Sequence, residues 1–298
     1  MAKFAAWLVA HRLRRVSFIT ALFLLPLVGF ISAAVVVLVA SVKGPREASI
    51  DCLLALAVLS VLLTFAGTGI AVVEITTALV VWCTAIGLGF LVGRYRSLTL
   101  AMQAAVLLSV LGLLGFVGWA GDPVVFWQDL LELLAEMSRQ AAGVDIEPLP
   151  WGTLEQLAPI MAGIMASAAL VALLLALLLG TWLASGLQGG SFAAMFRNIH
   201  LGYVIGGLAT IAGIAAIFGL QPLAGNVLLV LATGFAFQGL AVVYWWSWSK
   251  QWPRAWWVAL YFPLFLGPAV RISEMALLVT LGFVDNWYRL RPQRADMV

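Results

Sequence analysis

The chain has 298 residues, 64% of them hydrophobic and only 10% charged, with a mean hydropathy of +1.08 and a net charge of +3. Soluble domains carry roughly 25% charged residues, so no water-soluble core can hide this much apolar surface. The few cations gather at the ends of apolar runs, as topology and anionic headgroups require, so the net charge is no argument for nucleic acid, and no nucleic-acid partner is expected.

In chain order, residues 1–16 set Phe4, Trp7, Leu8 and Leu13 against Lys3, His11, Arg12, Arg14 and Arg15, which predicts an interfacial lead into the first span. The apolar run that follows contains Pro26 and no small-residue cleavage site before Lys43, so a retained span is expected rather than a removed signal. Span 1 is expected over Ser17–Ala40, with Pro26 and Gly29 offering a kink. After a polar turn at Lys43–Glu47, the stretch from Ile50 to Gly93 is too long for one helix crossing, and Gly67-Thr68-Gly69 divides it into spans 2 and 3. Glu74 then falls one turn into span 3, either as a helix-start residue reaching the surface or as part of an inner polar site. Cys52 and Cys83 lack any paired spacing and read as packing residues.

Span 4 is expected over Leu98–Gly118, where Gly112, Gly115 and Gly118 make a smooth seam suited to close helix packing. The pairs Gly89 and Gly93, Gly163 and Ser167, and Gly202 and Gly206 carry the same expectation. Residues 119–156 form the long extramembrane connector. Asp122-Pro123 starts a helix there, with Trp127, Leu130, Leu134 and Met137 on one side and Asp129, Glu132, Glu136 and Arg139 on the other. This amphipathic helix should lie on the membrane surface or cap the bundle, its acidic face either solvated or holding a protein partner. Span 5 (Leu157–Leu187) is unusually long, and Arg197, Asn198 and His200 in the next connector suit an interfacial anchor. Spans 6, 7 and 8 follow over Leu201–Leu220, Leu223–Trp246 and Ala255–Asp285, before a tail at 286–298. The expected architecture is thus an all-α, polytopic bundle of eight transmembrane spans plus an amphipathic interfacial helix, forming one membrane domain over 1–298. Lysines and arginines divide almost evenly between the two sides; the first helix and its flanking arginines favour both termini in the cytoplasm.

The stretch from Gly234 to Arg291 is the least generic. Tyr244, Trp245, Trp246, Trp248 and Trp252, with Trp256, Trp257 and Tyr261, suit the membrane–water interface around Lys250 and Arg254. Arg271 and Glu274 stand three apart within span 8, after Gly267-Pro268. A charge at that depth costs at least about 2.5 to 3.5 kcal/mol and needs shelter or a partner. With Gln238 as the nearest uncharged polar group and Glu74 as a further candidate, they form either a ligand site or a structural ion pair. The chain lacks G-x-S-x-G, H-E-x-x-H and phosphate-loop patterns, so the expectation is a non-enzyme with no cofactor and no metal. At the end of span 8, Asp285 and Arg289 are four apart and can pair; with Trp287 and Arg291 they make an interface anchor or a docking point for a soluble partner.

The ending Gly282-x-x-Asp285-x-Trp287-x-x-x-Arg291 resembles that of the YybS-like family of predicted bacterial membrane proteins, a domain of unknown function. The basic lead, the Asp-Pro before an amphipathic connector, and Gln238-Gly239-Leu240-Ala241 agree with it in order. The resemblance implies a multi-pass protein of the bacterial plasma membrane and no established activity. More distantly, size and hydropathy are similar to the substrate-binding membrane subunits of energy-coupling-factor transporters. The leading expectation is capture of a small or amphipathic ligand for transport; the alternative is a membrane scaffold or assembly factor that holds protein partners at the connector helix or the C-terminal end.

Overall fold

The computed structural model describes residues 2–25, 28–67, 69, 71–142, 154–253 and 267–291, and of 138, 139, 141, 142, 154 and 155 the backbone alone. All its elements there are helices: α1 (Ala2–Ala10), α2 (Arg12–Leu24), α3 (Gly29–Lys43), α4 (Pro45–Ala66), α5 (Ala71–Tyr95), α6 (Leu98–Ala120), α7 (Pro123–Ala142), α8 (Leu154–Gln188), α9 (Phe192–Arg197), α10 (Gly202–Ile217), α11 (Leu223–Ser249) and α12 (Pro268–Tyr288). Five of them, α4, α5, α6, α8 and α11, are long and apolar enough to cross a membrane, while α3 and α10 are apolar but shorter. The expected total of eight spans is not reproduced, and 254–266, which include the start of expected span 8, lie outside the described residues. Leu53, Val61 and Phe65 on α4 and Val72 and Val80 on α5 are exposed, a surface that suits lipid. The chain divides into two compact units, Met1–Ala105 with Val171–His200, and Val106–Leu170 with Leu201–Val298.

Unit 1 is built around α3. Every residue from Ser32 to Ser41 is buried, as expected of a helix that is apolar all round. Its relation to α2 corrects the expectation of a single span over 17–40. The Ser32 hydroxyl donates to the Ile19 carbonyl at 2.8 Å, whereas a continuous helix would hold those positions about 19 Å apart. The chain therefore doubles back between Leu24 and Gly29, and α2 and α3 form an antiparallel hairpin. Helices α2 and α4 run parallel, since Arg15 meets Asp51 and the Thr20 hydroxyl meets the Ala55 carbonyl. Along the other side of α3, the Trp82 indole of α5 donates to Ser32 at 3.0 Å, and Gly89 and Gly93 lie against Val37 to Ser41. A Cβ at Gly93 would come 2.7 Å from the Ser41 carbonyl, and one at Gly180 of α8 would come 2.6 Å from that of Ala34. Small residues here let backbones approach where lipid offers no hydrophobic drive. The expected interfacial lead is only partly at the surface: Ala5, Leu8, Val9, Arg15 and Val16 are buried. The boundary between α4 and α5 agrees with the sequence, Gly67 taking the left-handed conformation (φ 62°) that ends α4.

In unit 2 the closest helix contact is between α11 and α12. A Cβ on Gly239 would collide with the Leu278 carbonyl, and one on Gly282 with that of Phe235. The connector helix forms as α7, its first turn capped by the Asp122 carboxylate, which accepts from the Val124 N–H at 2.9 Å. Phe126 and Trp127 on α7 pack with Phe116 of α6. The expected packing seam on α6 is open instead: among the described residues nothing lies within 4 Å of where a Cβ would stand on Gly112, Gly115 or Gly118. Gly163 on α8 does serve packing, with Asn226 of α11 against it. The Asn226 amide accepts from the Gly163 N–H at 2.8 Å and donates to the Pro159 carbonyl at 2.8 Å, bridging two groups that an uninterrupted helix joins directly.

Candidate functional site

The most connected buried polar group in unit 2 lies where α10, α11 and α12 meet, and it begins as a capping problem. The first N–H groups of α10 have no acceptor inside their own helix, and neither Leu201 nor Gly202 has a side chain that can supply one. Two amides from neighbouring helices do so. Gln238 Oε1 on α11 accepts from the Leu201 N–H at 2.9 Å, and Asn286 Oδ1 on α12 accepts from the Gly202 N–H at 2.9 Å. Asn286 returns its own Nδ2 to the Gly202 carbonyl at 3.0 Å. Gly206 follows one turn later because a Cβ there would collide with the Asn286 amide.

The other end of Gln238 ties this cap to a charge. Its Nε2 donates to Asp285 Oδ2 at 2.8 Å, and Asp285 is buried. The carboxylate in turn takes a forked guanidinium, Arg291 Nε to Oδ1 at 3.2 Å and Nη2 to Oδ2 at 2.5 Å. The expected partner was Arg289. The structure assigns Arg291 instead because α12 ends with Arg289 in the left-handed conformation (φ 46°), its N–H on the Asp285 carbonyl, which turns the chain back over the last helical turn. The Arg289 guanidinium lies 6.0 Å from the Tyr203 ring centroid, and Trp287 is exposed beside Tyr203.

The ligand-site candidates do not assemble with this network. Gln238 is bonded at both ends of its amide, to Leu201 and to Asp285. Glu274 lies about 16 Å along α12 from Asp285 at 1.5 Å per residue. Arg271 is exposed, and among the described residues no ion pair joins it to Glu274, whose Oε2 is buried without a hydrogen bond. Arg271 thus stands on an open face of α12, while Glu274 turns one carboxylate oxygen inward, and the described residues do not pair the two. Glu74 belongs to unit 1, in the first turn of α5, where a carboxylate suits the helix dipole.

Unit 1 holds a second buried cluster, in which the carboxylate missed by sequence reasoning is Asp51. Arg15 and Asp51 are 2% and 0% exposed and meet through two bonds, Nε to Oδ2 at 2.5 Å and Nη2 to Oδ1 at 3.2 Å. Arg15 Nη1 also donates to the Val9 carbonyl at 2.8 Å, which fixes α1 to the start of α2. Arg12 adds Nη2 to Glu47 at 2.7 Å and Nε to Asp51 at 3.2 Å. The hydrogen bond that Arg12 donates to Glu47 and the charge of that carboxylate hold the Arg12 guanidinium above its ordinary pKa, so it stays protonated. A signal existed in the sequence, since Asp51 is four residues after Glu47 on one helix face. Its partners, more than thirty residues earlier, were out of reach of local spacing.

Chemically, both clusters fix helices. Their donors and acceptors face each other, and no group of three or more His, Cys, Asp or Glu that could hold a metal occurs among the described residues. Comparison with family models, curated proteins and solved structures finds no match to this chain.

Proposed function

We propose that this is a non-enzymatic, multi-pass protein of the bacterial plasma membrane, of the YybS-like kind, that binds an amphipathic molecule in transport or uptake. The ligand meets the open face of α12. The observation that carries this reading is that Arg271 stands exposed among exposed Val270, Ile272, Met275 and Leu277, with the unbonded Glu274 Oε2 one turn on. A guanidinium in apolar surroundings offers an anionic headgroup a charge-assisted pair, and the side chains beside it suit an acyl tail.

The second reading is a scaffold that holds a protein partner. It is favoured by α7, where Leu133, Leu134 and Met137 are exposed alongside Asp129 and Glu132. A thermal-shift screen of the purified full-length protein against anionic and zwitterionic amphiphiles tests the first reading, because a ligand of the folded state raises its midpoint. The expected result is a shift that Arg271→Ala removes without lowering the unliganded midpoint. A shift that survives Arg271→Ala, or no shift with any amphiphile, overturns it. A stoichiometric protein partner lost on altering α7 supports the scaffold.

A further inference from the structure

Unit 1 contains nine of the chain's 16 lysines and arginines, and the helix register places all of them at one end. Arg12 and Arg15 meet Glu47 and Asp51 where α2 and α4 both begin, and Lys43 and Arg46 flank the turn from α3 into α4. Gly93 lies against Ser41, so Arg94 and Arg96, which follow it, belong to the same end. Arg96 bonds Gln188 at the close of α8, and Gln188 Nε2 donates to the Ser41 carbonyl at 3.2 Å. The Thr99 hydroxyl donates to the Asn198 carbonyl at 3.1 Å, which brings Arg197 there as well. Arg14 covers Trp7 at 4.5 Å, and Ala2, beside Lys3, lies 3.9 Å from where a Cβ on Gly186 would stand.

The opposite end is different in kind. No lysine or arginine occurs from Val16 to Val42 or from Glu47 to Gly93, and the turns that close the α2–α3 and α4–α5 hairpins fall within those stretches. Glu74 is the one charged residue near that end. Two carboxylates, Glu47 and Asp51, offset the nine cations at the basic end, and Lys3, Lys43, Arg46 and Arg94 are exposed there. Independently, Phe4, Trp7 and Phe18 form an aromatic cluster at the same end, with Trp7 exposed, the side chain that settles at headgroup depth.

The hairpin completes the picture. With 13 and 15 residues, α2 and α3 are about 20 and 22 Å long, short of the roughly 30 Å hydrocarbon core, and both open on the basic end. We propose that the basic end of unit 1 is a binding surface for anionic lipid headgroups of the cytoplasmic leaflet, and that α2 and α3 enter and leave the bilayer from that side as a re-entrant hairpin. Protein encloses α3 from Ser32 to Ser41, which shelters the returning arm of the hairpin.

The test uses the full-length protein in nanodiscs of phosphatidylcholine with or without phosphatidylglycerol. Phosphatidylglycerol should raise the unfolding midpoint, high salt should reduce the rise, and Lys43→Gln, Arg46→Gln and Arg94→Gln together should remove at least half of it. The same midpoint in both lipids, or a rise the triple variant keeps, overturns the headgroup surface. For the hairpin, Lys3→Cys and Lys43→Cys are each placed in a Cys52→Ala, Cys83→Ala background and treated in cells with a membrane-impermeant maleimide. Both should react only after the membrane is opened; labelling from opposite sides overturns the hairpin, and labelling of both in intact cells overturns the cytoplasmic assignment.

Discussion

Replacing Asp285 by alanine should be among the most damaging single changes in unit 2. The carboxylate is the shared acceptor for Gln238 Nε2 at 2.8 Å and for the forked guanidinium of Arg291. Its removal takes a buried carboxylate from the Arg291 fork and the acceptor from Gln238 Nε2. Removing one member of a buried ion pair costs about 3 to 5 kcal/mol. Roughly 1 to 3 kcal/mol of a loss on this scale is what an orphaned buried donor such as the Gln238 amide costs by itself. Asp285→Asn separates the two contributions, since it keeps an oxygen for Gln238 and removes only the charge, and its loss should be the smaller. At roughly 2 °C per kcal/mol for a chain of this size, Asp285→Ala should lower the midpoint of the detergent-purified protein by about 6 to 10 °C. Arg291→Ala should fall in the same range, and the double variant should cost clearly less than both singles together. Arg271→Ala, on the exposed face of the same helix, is the control and should stay within about 0.5 kcal/mol of the parent. A loss below about 1 kcal/mol for Asp285→Ala, or additive single variants, would mean that the pair is solvated and does not hold the junction.

The cluster in unit 1 should behave alike. Asp51→Ala is expected to cost about 3 to 5 kcal/mol, and Arg15→Lys to recover only part of the parent stability, because one ammonium cannot reach both Asp51 oxygens and the Val9 carbonyl together. Full stability of Arg15→Lys in a denaturation midpoint would show that the fork is dispensable. The glycines offer a paired test. Gly239→Ala puts a Cβ into the Leu278 carbonyl and should cost about 1 to 3 kcal/mol or more, while Gly115→Ala enters open space and should be neutral or stabilising by up to about 1 kcal/mol. Equal midpoints for the two variants would remove the α11–α12 contact as an explanation for the glycine.

Apolar runs of membrane length marked α4, α5, α6, α8 and α11 in the sequence, and the Asp122-Pro123 start and alternate charged face marked α7. Those are local signals, written in consecutive residues. The misses share a different origin. Glycines three or four apart show that a helix face is smooth, but not that another helix lies against it: Gly89 and Gly93 meet α3, whereas Gly112, Gly115 and Gly118 meet nothing among the described residues. Spacing paired Asp285 with Arg289 as though α12 continued, and a left-handed residue at that very position ended it. Gln238 was legible as a polar residue of interest but not as a cap for α10, because the N–H it accepts from is 37 residues away.

The first hairpin shows how one such miss spreads. Pro26 and Gly29 identify a weak point in the apolar run, but whether a chain bends there or reverses depends on partners outside the run. Here those partners are the Trp82 indole of α5 on the Ser32 hydroxyl and the Ala55 carbonyl of α4 on Thr20. Read as one crossing, residues 17–40 put Lys43 and Arg46 on the side opposite Arg12 and Arg15, and the cations divide almost evenly across the membrane. Read as a reversal, the same residues lie together at one end, joined by Arg12–Glu47 and Arg15–Asp51. The charge asymmetry of unit 1 is therefore a property of its fold before it is a property of its loops, and counting loop charges finds it only after the reversal has been recognised.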